Sequence, residues 1–218
     1  MYEIIPSPGT FVKNEAEWDQ KIELVRPFAK TIHVDIVDGI FAPNTTIAEP
    51  EWFTQFSKDL PAGEAGFILE VHLMTDEPVK HLKKWSDAGF RRFIGQIENM
   101  SDQAEFVAQA QLLGEAVLAL DKQSSVDEIT VPIDDLDGLL VMTIKAGLSG
   151  QQFQEELLKK VKNLRKKTML PIEVDGGIND QTIHQAAAAG ATRFVATSFL
   201  YNAENLEKQF QRLQECLP

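Results

Sequence analysis

The stretch Thr31-Ile-His-Val-Asp-Ile-Val-Asp-Gly39 reads as a β-strand that runs out into a turn. Strand alternation puts His33 and Asp35 on one face of it. Seven further short runs rich in Val, Ile and Phe repeat the pattern, giving candidate strands at 3–6, 31–37, 66–73, 92–97, 116–121, 138–144, 170–175 and 193–197. Amphipathic stripes follow several of them: Trp18, Ile22, Val25; Phe106, Ala110, Leu113; Leu157, Val161, Leu164; and Leu206, Phe210, Leu213, Leu217. Each stripe has the spacing of a helix covering a sheet. Alternating strands and helices predict a parallel sheet, and eight such units predict one closed (β/α)8 TIM barrel spanning residues 1–218 as a single domain. A doubly wound open sheet is the alternative, kept open by the weakest unit, 126–137.

Composition narrows the function. The chain has 218 residues, is 44% hydrophobic and carries a formal net charge of −12. So negative a chain lacks the cationic field that a nucleic-acid backbone requires. No apolar run reaches membrane-spanning length, and the N-terminal segment 1–6 lacks the basic and apolar regions of a signal peptide. The single cysteine, Cys216, allows no intrachain disulfide. These features together predict a soluble, cytoplasmic protein.

In a barrel of this kind, chemistry sits where strands end. His33 and Asp35 close the second predicted strand, His72 the third and Asp175 the seventh. Two imidazoles and two carboxylates suit one divalent transition metal (Zn, Fe(II), Mn or Co) better than Ca or Mg, which prefer oxygen shells. Glu70 and Glu173 share inward parity with His72 and Asp175, and are candidates to orient the histidines. A buried layer of polar barrel residues is the equal alternative for that pair.

The segments His33-Val-Asp-Ile-Val-Asp-Gly-Ile-Phe-Ala-Pro-Asn44, Val71-His-Leu-Met74 with Pro78, Val141-Met-Thr-Ile-Lys-Ala-Gly-Leu-Ser-Gly-Gln151 and Ile172-Glu-Val-Asp-Gly-Gly-Ile178 resemble ribulose-phosphate 3-epimerases, in order and over nearly the whole chain. The resemblance implies 3-epimerisation of a small phosphorylated ketose, ribulose 5-phosphate to xylulose 5-phosphate, through a metal-stabilised enediolate. Asp35 and Asp175 match the acid/base pair, one for each face of the reacting carbon. Both also match metal ligands, with His33 and His72. Met74 and Met142 match residues that cap the intermediate, while Val37 stands where the family usually has Met. Gly147 and Gly150, Gly176 and Gly177, and Thr197 and Ser198 match three phosphate-holding loops, and Ser7 matches a substrate-contacting serine. By analogy with the family, the chain is expected to form a dimer or hexamer.

Departures cluster around the substrate. Lys145-Ala-Gly-Leu-Ser-Gly150 replaces Asn-Pro-Gly-Phe-Gly-Gly, Thr197 replaces a glycine, Asp121-Lys122 replaces Asn-Pro, and Gln96 replaces a histidine. A hexulose phosphate such as allulose 6-phosphate is therefore an alternative substrate, and a non-catalytic sugar-phosphate binder an alternative role. A barrel decarboxylase or aldolase would call for a lysine near Asp35, and the second strand has none. Asp38 is assigned to the Asp-Gly turn, the lysine-rich segment 159–167 to a solvated helix face, and His81 and His184 to no chemistry.

Overall fold

The structure, a computed structural model, describes residues 2–57 and 66–218; Met1 of the N-terminal segment lies outside them. Eight strands, β1 (Glu3–Pro6), β2 (Thr31–Val37), β3 (Ile68–Met74), β4 (Arg92–Gln96), β5 (Glu115–Leu120), β6 (Gly138–Met142), β7 (Ile172–Asp175) and β8 (Arg193–Ala196), form one parallel sheet. Every predicted strand is present with its ends displaced by at most two residues. The order β1-β8-β7-β6-β5-β4-β3-β2 wraps sequence neighbours around a ring, which rules out the doubly wound alternative. The ring is nearly closed: β1 and β2 face each other without a backbone ladder. Side chains cross that seam instead, Thr31 donating to Glu3 and Ser7 Oγ to Asp35 Oδ2 at 3.0 Å.

Two apolar clusters show why the strands are nearly continuous in hydrophobic residues. The larger joins outward-facing Ile32, Val34, Leu69, Val71, Leu118 and Val141 to the helices. The smaller, with Ile94, Val117, Leu140, Met74 and Met142, contains no helix residue and lies inside the ring. A strand buried on both faces has no reason to alternate in polarity, and β2 is buried at all seven positions. Its polar residues Thr31, His33 and Asp35 share the inward face by parity.

The outer layer consists of α1 (Glu15–Val25), α2 (Leu82–Asp87), α3 (Gln103–Gln111), α4 (Leu158–Arg165), α5 (Thr182–Ala189), α6 (Ser198–Tyr201) and α7 (Leu206–Glu215). Asn14, Asp102 and Asn205 cap α1, α3 and α7 by accepting backbone N–H groups of the first turn. The predicted stripes face the sheet: Trp18, Ile22 and Val25 on α1, Phe106 and Ala110 on α3, Val161 and Leu164 on α4, Phe210 and Leu213 on α7. No described helix is long and apolar enough to cross a membrane.

Two crossovers contain no α-helix among the described residues. Between β5 and β6 only the short 3-10 turns Val126–Glu128 and Ile133–Asp135 occur, because Pro132 interrupts the segment; buried Val126 and Leu136 cover the sheet there. Between β2 and β3 the 3-10 helix Pro50–Phe56 presses Phe53 against Trp18, Trp85 and Phe90, with ring centroids 5.1, 5.8 and 5.5 Å away. This aromatic plug takes the place of a helix. Phe53→Ala is expected to destabilise the fold by about 3–5 kcal/mol, read as a lower urea midpoint at unchanged slope.

Candidate metal centre and active site

Inward parity puts His33 and Asp35 of β2, His72 of β3 and Asp175 of β7 at the strand ends where the ring opens, and all four are buried. Parallel register sets Asp35 beside His72 and Met142 beside Asp175. One donor atom from each of the four residues lies within 4.8 Å of the other three. These residues come from three separate strands, so barrel closure alone brings them together.

The hydrogen bonds around the histidines test whether a cation fits. His33 Nδ1 faces Glu70 Oε1 at 2.7 Å and Glu173 Oε1 at 3.3 Å, and a nitrogen against two carboxylates carries the hydrogen. As a neutral imidazole it would point the Nε2 lone pair at Asp35 Oδ1, 3.1 Å away. On the other ring, His72 Nε2 is held by Gln96, leaving Nδ1 to face the same Asp35 oxygen at 3.1 Å. Acceptors thus converge on acceptors around Asp35, an arrangement that only a proton or a metal ion reconciles. The donor set fits a divalent transition metal.

Burial and neighbouring charge set the proton affinities of these groups. Burial disfavours charge on every group here, yet at His33 the carboxylates of Asp35, Glu173 and Glu70 outweigh burial and raise the pKa well above the ordinary value. At His72 burial prevails and lowers it. Asp35, although buried, is held well below the carboxylate range by His33 and His72. Asp175 is driven well above it by burial and by the charge on Asp35. Beneath them, burial and the Glu70 charge push Glu173 up to about 7, while Arg92 overcomes burial to lower Glu70 to about 2. A bound divalent ion would be the largest local charge and would hold all four ligands deprotonated.

Above the cluster opens a cleft lined by Asp35, Asp175, Met74, Met142 and the loops after β6, β7 and β8. Gly147, Gly150, Gly176, Gly177, Thr197 and Ser198 all line it, so the three predicted loops converge. Gly177 is there by necessity: its φ is +69°, and a Cβ would lie 2.8 Å from Phe153 N. Ser7 is fully buried, its hydroxyl donating to Asp35 and accepting from Gly9 N. Val37 lies in the inner apolar cluster. Lys145 is exposed and does not line the cleft. Asp38 organises its turn as expected, accepting from the backbone of Ile40, Phe41 and Asp76. Most of the lysine-rich face of α4 is solvated, but Lys160 reaches back to the carbonyls of Asp121 and Lys122. His81 and His184 lie on outer elements, as read from sequence.

Several partners escaped the sequence reading. Arg92, the first residue of β4, ties Glu70 to Glu115 at the lower end of the barrel. Thr10 binds Ser149, joining the β1 and β6 loops at the cleft. Parity was the available signal for Arg92, since it lies two residues before inward-facing Ile94.

A parallel eight-stranded barrel with two carboxylates and two imidazoles at the floor of a glycine-rimmed cleft defines a class of enzyme that works on a small polar substrate. Residues 8–201 match the ribulose-phosphate 3 epimerase family, and the chain belongs to it. It is therefore an isomerase that epimerises a sugar phosphate. It is 36% identical over 185 residues to ribulose-phosphate 3-epimerase from Schizosaccharomyces pombe, covering 84% of this chain and 80% of that one. The cytoplasmic isoform from Oryza sativa subsp. japonica is 35% identical over 199 residues, covering 88% and 83%. Among solved structures, KGPDC from Streptococcus mutans superposes with a TM-score of 0.75 at 14% identity, over 99% of this chain and 96% of that one. At that identity the likeness shows the fold alone.

The buried Arg92 pairs directly with the buried Glu70. Arg92→Met is expected to destabilise the protein by about 3–5 kcal/mol in urea denaturation at neutral pH, because it strands buried charge. A loss below about 1 kcal/mol would show that Glu70 and Glu173 tolerate each other unaided.

Proposed function

We propose that the protein is a metal-dependent epimerase that inverts C3 of ribulose 5-phosphate to give xylulose 5-phosphate, with Asp35 and Asp175 as the proton-transfer pair. The convergence of four ligand atoms on one point at the cleft floor carries this reading. His33, Asp35, His72 and Asp175 would hold one Zn, Fe(II), Mn or Co ion. Such an ion supplies Lewis-acid stabilisation for charge developing on the substrate oxygens. Inversion requires one group to take a proton from one face of the carbon and another to return a proton to the opposite face. Asp35 and Asp175 come from different strands and both line the cleft, so they can serve as that pair.

The remaining lining residues have simpler tasks. Met74 and Met142 present thioether and apolar surface over the reacting carbon and exclude water. Backbone N–H groups of the glycine loops, with Thr197 and Ser198, bind the phosphate, which lets a protein of net charge −12 hold an anion with no lysine among the described residues lining the cleft. Ser7 orients Asp35. The names of the curated relatives support the pentulose substrate.

Incubating ribulose 5-phosphate with the enzyme in D2O checks the chemistry. The C3 hydrogen should exchange with solvent, the rate should fall at least about 100-fold in both Asp35→Asn and Asp175→Asn, and activity lost to a chelator should return with Zn, Fe(II), Mn or Co. Undiminished exchange in Asp175→Asn would sink the two-carboxylate mechanism. Across a panel of pentulose and hexulose phosphates, kcat/KM should be highest for ribulose 5-phosphate. A higher value for allulose 6-phosphate would reassign the substrate.

A further inference from the structure

His72 meets the cluster through Nδ1, so something must hold its other nitrogen. Gln96, fully buried on β4, does so: with the amide oriented to satisfy its neighbours, its Oε1 accepts from His72 Nε2 at 3.2 Å. The same amide nitrogen donates to the Ala119 carbonyl at 3.1 Å and to Glu98 Oε2 at 2.7 Å. Reversed, the amide would set oxygen against both of those acceptors. Glu98 in turn accepts from Asp121 N at 2.7 Å and from the Ser124 hydroxyl. Asp121 continues the chain, its Oδ1 accepting from Ala146 N at 2.8 Å, one residue before the cleft glycine Gly147.

We propose that Gln96 and Glu98 are a positioning pair for the metal centre: Glu98 locks the Gln96 amide, and the amide locks His72 as the tautomer whose Nδ1 lone pair faces Asp35 and Asp175. The inference rests on the metal-dependent reading of the site given above. Neither residue belongs to the four-ligand cluster or lines the cleft. Their effect passes through His72. A glutamine suits the task because its donor and acceptor ends are distinct and do not titrate, so only one orientation satisfies a carbonyl, a carboxylate and an imidazole N–H together. The carboxylate that sets the amide also pins the backbone after β5, and Asp121 carries that anchorage to the start of the β6 loop. Metal geometry and cleft geometry therefore share one hydrogen-bonded chain.

Metal affinity tests this separately from turnover. Protein stripped with a chelator is titrated with Co²⁺, followed by calorimetry and by the visible d–d bands, with circular dichroism reporting the fold. Wild-type protein should bind one Co²⁺. Gln96→Met keeps the length of the side chain but removes the acceptor, and should weaken Co²⁺ binding on the order of 10–100-fold and shift the bands. Gln96→Glu alone sets two carboxylates against each other and should also weaken it. Combining Gln96→Glu with Glu98→Gln restores an acceptor toward His72 and a donor between the pair but leaves the Ala119 carbonyl without its donor, and should recover part of the lost affinity. Folded Gln96→Met with wild-type affinity and spectrum would overturn the positioning pair while leaving the metal centre standing. Should Gln96→Met fail to fold, the combined variant decides: binding no tighter than Gln96→Glu overturns the proposal. A wild-type protein that binds no Co²⁺ removes the metal centre, and the pair with it.

Discussion

Arg92 holds together what the rest of the barrel would otherwise drive apart. The inside of an eight-stranded barrel has room only for side chains, and in this chain much of that room is occupied by charge. Glu70 and Glu173, fully or almost fully buried, lie below His33, and two carboxylates so close in a poorly solvating interior repel strongly. Arg92 binds Glu70 on one side and Glu115 on the other, so Glu70 is paired, while Glu173 answers the repulsion with a proton affinity pushed up to about 7. Glu70 is thereby kept ionised, and an ionised Glu70 keeps a hydrogen on His33 Nδ1. The nitrogen that His33 turns toward Asp35 at the top of the barrel is set by a guanidinium near its bottom.

Each histidine has its own support. His33 is oriented from below by charged residues of the barrel interior, His72 from the side by a neutral amide. Asp35 stands between them and also takes the Ser7 hydroxyl across the seam where the ladder is not closed. That seam is where β1 and β2 lack backbone bonds, so a carboxylate of the buried His/Asp cluster contributes to closing the barrel.

The predicted strands and the inward parity of the four cluster residues were legible because a parallel sheet covered on both faces writes itself as short hydrophobic runs at regular spacing. Asp38 could be placed for a local reason, since an Asx turn depends on a few adjacent residues. The crossovers were less legible: the 126–137 segment looked weak and proved to have no α-helix, its cover provided by Val126 and Leu136. Lys160 read as one more solvated lysine on α4, yet it bonds carbonyls after β5 that are 39 and 38 residues away in sequence. Nothing in local pattern encodes such a contact.

By itself, the sequence determined the sheet, the faces of its strands and the types of group presented at their ends, because these follow from alternation within single segments. Partnership was decided only by the tertiary structure. Whether His33 meets Glu70, whether Gln96 accepts from His72 or donates to it, and whether Ser7 bonds Asp35 all depend on the lateral register between strands and on ring closure. Tautomers and proton affinities follow from those partners, and burial magnifies each of them, since inside the barrel a neighbouring charge is not screened by water.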